Sequence, residues 1–204
     1  MTSTSIPSGA MSPEITSANL LKVMAFELCG RVFALPLADR LDCPYPVVER
    51  VVMAPEIDTT GPGPYQLLHW DNRDLLVLHL HRLLQPSDPP LPHFMLLIRS
   101  RATASQRTDY YGIPVPTPPG LMTLPAETLR PLPMAYRHLD PLRLARYMAV
   151  LPSHYRQDLL QDHTSRPEDG DPLGEMLVFL LEIPQVIRAA QSIQSQPHQL
   201  MAGR

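Results

Sequence analysis

Three histidines in the middle of the chain could bind a metal ion. His79 and His81 stand two residues apart, and His69 lies where a hairpin would bring it back towards them. On a strand, residues two apart point to one face, so both imidazoles could share a zinc ion. The alternative is that His79 caps a short helix and His81 is solvated. Because a zinc site needs a clear third ligand and supporting groups, we expect no bound metal.

Three other residues, Cys29, Asp39 and Asp42, could support catalysis. Cys29 with a distant histidine could form a nucleophilic pair, but Gly30 marks a hairpin turn, and a small apolar residue beside that turn is the interpretation we favour. Asp39 and Asp42 could act as paired carboxylates, although isolated carboxylates in such a segment are usually solvated or face a partner. No glycine-rich phosphate loop is present. We therefore expect a binding module without catalytic residues or cofactor.

The composition excludes several classes of protein. Of 204 residues, 25 are proline, and apolar residues make up 44%. Prolines are excluded from helix interiors and central strands, so this content favours many short strands and loops, an all-β protein. The net charge is −3, Lys22 is the only lysine, and no basic block suggests nucleic-acid binding. No apolar run is long enough to span a membrane. With two cysteines and no signal peptide, we expect a cytoplasmic protein with reduced thiols.

The strongest local pattern runs from Gln66 to Leu84. We predict a strand at 65–70, a turn at 71–73, a second strand at 74–79 and a short helix at 80–84. Asp71 and Asn72 tolerate left-handed backbone angles and suit the centre of a tight hairpin. The second strand is almost continuously apolar, which indicates burial on both faces.

This layout resembles the central segment of CheW-like domains, the adaptors of bacterial chemosensory arrays. His69-Trp70-Asp71-Asn72 stands where that family has Asn-Leu-Arg-Gly, and 79–84 stands where it has Asp-Leu-Arg-x-Leu-Leu. The segments FELCGRVFALPL and Leu180-Leu181-Glu182-Ile183 resemble the family's first hairpin and last strand. The resemblance covers about residues 22–190. It implies two packed SH3-like five-stranded β-barrels.

The resemblance also implies a function and a set of contact residues. Such an adaptor has no catalytic activity and couples a chemoreceptor's cytoplasmic tip to the regulatory domain of a histidine kinase. We expect partner contacts at Asp42, Trp70, Asp71, Asn72 and Arg73. Asp42 keeps an acidic charge that the family uses, whereas Asp71 replaces its arginine and reverses the charge. Trp70, the only tryptophan, could be a core residue or an interface anchor.

Two other functions stay open: a small-ligand or metal-binding β-barrel, and a divergent CheW-like protein with other partners. For the chain as a whole we expect a disordered leader at 1–19, one domain at 20–190 and a flexible tail at 191–204. We also expect two strand-rich halves that meet between residues 85 and 115. Asp140-Pro141 predicts the start of a helix to Arg146, and Pro184 lies in the first turn of a predicted helix to Ser195.

Overall fold

The computed structural model describes residues 20–37, 46–57, 63–84, 91–101, 108–152 and 175–195. Eleven strands lie in these ranges, in chain order: β1 (Leu20–Leu28), β2 (Arg31–Pro36), β3 (Val47–Met53), β4 (Tyr65–Trp70), β5 (Arg73–Leu78), β6 (Phe94–Arg101), β7 (Thr108–Val115), β8 (Gly120–Pro125), β9 (Leu129–Pro131), β10 (Ala145–Pro152) and β11 (Glu175–Leu181). The α-helices are α1 (Leu80–Leu84) and α2 (Ile183–Ser195). Two short 3₁₀ helices lie at Ala126–Thr128 and Met134–Leu139. The predicted all-β class is confirmed.

The strands form two curled sheets. The first has the order β8-β1-β2-β11-β10-β9, and the second has the order β3-β6-β7-β5-β4. Neighbours are antiparallel except for the β2–β11 and β5–β7 pairs, which are parallel. Leu37, which follows β2, forms an isolated parallel bridge with Val48 of β3, and among the described residues this bridge links the two sheets. The expected division into halves between residues 85 and 115 is wrong, because β1 and β2 pair with strands near the C-terminus and β3 to β7 form the second sheet between them.

Apolar side chains form three clusters, and the central one holds the two sheets together. The central layer lies between the sheets, and Phe33 stands near its middle with ring centres 6.1 Å from Phe26 and 5.9 Å from Phe179. The opposite face of each sheet has its own cluster. Leu78 of β5 faces the central layer while Leu75 and Val77 face the cluster of the second sheet. Burial of β5 on both faces is therefore confirmed.

Helix α2 covers one side of the central layer. Its buried residues Ile183, Val186 and Ala190 recur at helical spacing and form one apolar stripe. The predicted terminal helix is confirmed, and it extends past residue 190 to Ser195. Within the described ranges, no helix combines the length and apolar character that crossing a membrane requires.

The helix predicted from Asp140 to Arg146 is wrong. The carboxylate of Asp140, a side chain only 1% exposed, accepts the backbone N–H groups of Leu144 at 2.9 Å and Ala145 at 2.8 Å. These donors belong to the first residue of β10 and the residue before it, so Asp140 caps a tight loop instead of a helix. The aspartate correctly predicted a side chain that accepts backbone N–H groups, but those groups can belong to a loop as well as to a helix.

Candidate functional site at a hairpin tip

The tip of the β4–β5 hairpin is a two-residue turn. Asp71 and Asn72 have φ angles of 52° and 56°, and Trp70 pairs with Arg73 across the turn. Two consecutive left-handed residues are the signature of the turn that matches the twist of antiparallel strands, and Asp and Asn accept that backbone at low cost. The predicted turn is confirmed, with β5 starting one residue earlier, at Arg73 instead of Asp74.

The side chain of Trp70 is half-buried against the apolar cluster of the second sheet, and an arginine side chain stacks on its ring. The guanidinium of Arg50, from β3, lies 5.2 Å from the ring centre. The same guanidinium donates a hydrogen bond from Nη2 to Oδ2 of Asp71 at 2.7 Å. Arg50 is therefore held between an aromatic face and a carboxylate, both from the hairpin.

A second ion pair lies beside the first. Nη1 of Arg73 is 3.7 Å from Oε1 of Glu49, and its guanidinium lies 4.6 Å from the centre of the Tyr110 ring. Glu49 and Arg50 could not be predicted from the sequence, because β3 stands at the opposite edge of the sheet from β4 and meets the hairpin only when the sheet curls. Of the predicted contact residues, the structure brings Trp70, Asp71, Asn72 and Arg73 together at one tip. Asp42 lies outside the described residues.

The three histidines that could have shared a metal ion lie in different environments. Nδ1 of His69 lies 2.9 Å from Oδ1 of Asp74, its partner across the hairpin, and both side chains are exposed. His79 follows β5 and is buried, whereas His81 lies in α1, so the pair does not share the face of a strand. Burial, followed by the charge of Arg82, lowers the pKa of His81. No cluster of three potential metal ligands occurs among the described residues.

Cys29 lies at the first hairpin, as expected. It precedes Gly30, and both residues have positive φ, at 52° and 71°. Cys29 packs at the border of the central layer, and burial raises the pKa of its thiol while the charge of Arg31 opposes that effect less strongly. A thiol with a raised pKa is a weak nucleophile at neutral pH. The geometry fits a turn residue.

The hairpin tip therefore offers aromatic and paired charged groups on a short, fixed turn. These are the groups that protein–protein interfaces use, with an aromatic anchor beside polar contacts that set orientation. The tip residues from Trp70 to Arg73 all belong to one hairpin, and three of them, Trp70, Asp71 and Arg73, contact side chains of β3. The sequence matches no family model and no curated protein.

Proposed function

We propose that this protein is a non-enzymatic CheW-like adaptor in bacterial signal transduction. It couples the cytoplasmic tip of a methyl-accepting chemoreceptor to the regulatory domain of a histidine kinase. The output is motility, by chemotaxis, phototaxis or type IV pili. The adaptor acts in the cytoplasm and is recruited to membrane-associated arrays through its partners.

The hairpin tip is the observation that carries the proposal. At the position of the family's turn motif, Trp70 and Arg73 flank a two-residue turn and both are clamped by β3. The paired backbone of the hairpin sets the positions of these residues before binding, and ordering them on binding would cost affinity. Two curled β-sheets that share one apolar layer are compatible with the two-barrel fold that the resemblance implies.

The charges of the tip bear on which partner would dock there. Glu49 and Asp71 contribute two negative charges, and Arg50 and Arg73 contribute two positive ones, so these four residues sum to zero. The negative charge of Asp71 is offset within the chain, and a partner need not supply a basic residue to meet it. The proposed interface is therefore selected by the alternation of charge around Trp70 more than by the sign of residue 71.

The mechanism that we propose is positional. The adaptor holds receptor and kinase in one geometry, so a shift in the receptor tip changes the population of active kinase. The central apolar layer that both sheets share makes the adaptor a stiff connector, because packed interiors transmit displacement.

Titration calorimetry with each partner tests this function. The full chain is titrated with the kinase regulatory domain and with a receptor-tip fragment encoded in the same genome. We expect binding to both, with dissociation constants tighter than about 100 µM. An adaptor must bind both partners, so failure to bind either one at that level would refute the adaptor role.

An Asn72→Asp variant then locates the contact. Asn72 is exposed and left-handed, and aspartate keeps that backbone while adding one charge. We expect weaker binding to one partner, by up to about tenfold, because a rim charge contributes modestly. The matched control is Glu175→Gln on the first sheet, which changes one exposed charge and leaves both affinities unchanged.

A further inference from the structure

The second sheet closes on itself through side chains. Its edge strands are β3 and β4, and no backbone pairing joins them in the described sheet. Four strand spacings in a flat sheet would separate these edges by about 19 Å. Yet Nη2 of Arg50 in β3 lies 2.7 Å from Oδ2 of Asp71, in the turn that follows β4. The sheet is therefore curled far enough for side chains from its two edges to meet at the hairpin tip, where ion pairs join them.

A β-bulge in β3 makes this contact possible. Val48 pairs with Ile98 and Arg50 pairs with Leu97, so Glu49 is an extra residue in the strand. In a regular strand, Arg50 would share the face of Val48, which packs in the central layer between the sheets. The bulge moves Arg50 to the opposite face, the face of Leu97 and Trp70. Bulges commonly re-aim side chains in this way.

We propose that Asp71 and Arg50 form a latch that closes the second sheet over Trp70. Asp71 holds the guanidinium on the indole ring, and the Glu49–Arg73 pair fixes the other side of the tip. When the latch opens, the hairpin tip separates from β3 and the covered ring face becomes accessible. This conformational device does not depend on the adaptor role, because it follows from contacts within the chain.

We expect the contact between Arg50 and Asp71 to break under conditions in which the sheet stays folded. The side chains of Arg50 and Asp71 are 44% and 53% exposed, so water and salt screen their attraction. The remainder of the hairpin is held by backbone pairing from Tyr65 to Leu78 and by the parallel pairing of β5 with β7. Weak exposed contacts on a well-paired hairpin predict local opening with the sheet intact.

Quenching of tryptophan fluorescence tests the latch directly, since Trp70 is the only tryptophan in the chain. Acrylamide is the quencher because it is neutral and does not respond to a change of local charge. We expect Asp71→Asn, which keeps the left-handed turn, to raise the quenching constant by about 1.5-fold or more. Raising NaCl from about 0.02 to 0.5 M should raise it in the wild type and change it little in the variant.

Asp74→Asn is the matched control, because Asp74 pairs with His69 on the same hairpin and does not reach β3. Its quenching constant should equal that of the wild type. Arg50→Lys keeps the charge but loses the planar stacking, so quenching should fall between wild type and Asp71→Asn. Equal quenching in the wild type and Asp71→Asn, or the same salt response in both, would overturn the latch. Should Asp71→Asn fail to fold, a wild-type constant that ignores salt would overturn it equally.

Discussion

The guanidinium of Arg50 is 2.7 Å from the carboxylate of Asp71, although Arg50 lies in one edge strand of the sheet and Asp71 lies in the turn that follows the opposite edge strand. From the sequence alone we expect a partner contact at Asp71, with the charge reversed relative to the arginine that the resemblance implies there. In the folded chain Arg50 compensates that charge and at the same time covers Trp70. The charge reversal at residue 71 is thus coupled to a residue 21 positions earlier in the chain.

A double-mutant cycle measures the strength of this pair. Arg50→Gln and Asp71→Asn, alone and combined, should give a coupling free energy of about 0.5 kcal/mol, because both groups are exposed. Urea unfolding of the four proteins provides the measurement. A coupling of zero at low salt would show that the pair contributes nothing to the closed sheet.

Asp140 should matter far more for stability. Asp140→Ala removes the acceptor of two buried N–H groups, so we expect a loss of about 2 to 4 kcal/mol in the free energy of unfolding. Asp140→Asn should cost less because its amide oxygen still accepts one donor. Glu175→Ala, at an exposed position, is the control and should change little. Thermal and urea unfolding measure all three, and equal stability of Asp140→Ala and wild type would contradict the loop-capping role.

Gly112 lies in β7, the central strand of the second sheet. A Cβ atom there would stand 2.8 Å from Sδ of Met95, which is fully buried. Gly112→Ala should therefore cost about 1 to 3 kcal/mol through overpacking. A Met95→Val change should recover part of that loss in the double variant.

Gly30→Ala serves as the contrasting variant for Gly112→Ala. Gly30 has a φ of 71° with open space around it, so its cost comes from backbone strain. Met95→Val should give no recovery there. Recovery at both positions, or at neither, in urea unfolding would contradict the steric explanation.

The stability of the fold should fall at acid pH in part through His81. Burial and the charge of Arg82 lower the pKa of His81 below its ordinary 6.5, so the unfolded chain binds the proton more tightly than the folded one. The stabilisation is complete above the unfolded pKa and is lost progressively as pH falls from there through the lower folded pKa. Between about pH 7.5 and 5.5, the Tm of His81→Gln should drop less than that of the wild type.

His93→Gln is the control for that experiment, because His93 is exposed. Its Tm should follow the wild-type pH profile. A His81→Gln profile parallel to that of the wild type would show that His81 does not contribute to the acid loss.

Local chemistry made the central hairpin predictable. Asp71-Asn72 specifies its own turn, and the apolar run from Leu75 to Leu78 specifies burial wherever the strand lies in the sheet. The short helix after it and the terminal helix follow from equally local signals. For these elements, the residues that decide the structure are also the residues that adopt it.

Long-range pairing could not be predicted in the same way. The parallel pairing of β2 with β11 brings Ala34 beside Leu180. The sequence of neither strand specifies which strand it pairs with. The contact between Arg50 and the hairpin depends on a bulge and on curling of the whole sheet. The prediction of a helix from Asp140 failed for a different reason, since a carboxylate that caps a helix can also cap a loop.

Formation of a three-part complex is the most direct test of the adaptor proposal. Receptor-tip fragments displayed on vesicles are mixed with the histidine kinase, with and without this chain, and sedimented. We expect the kinase to sediment with receptor only when the chain is present, because the chain contacts both. The chain would then be found in the pellet with them. Kinase recovery that is the same with and without the chain would contradict the account.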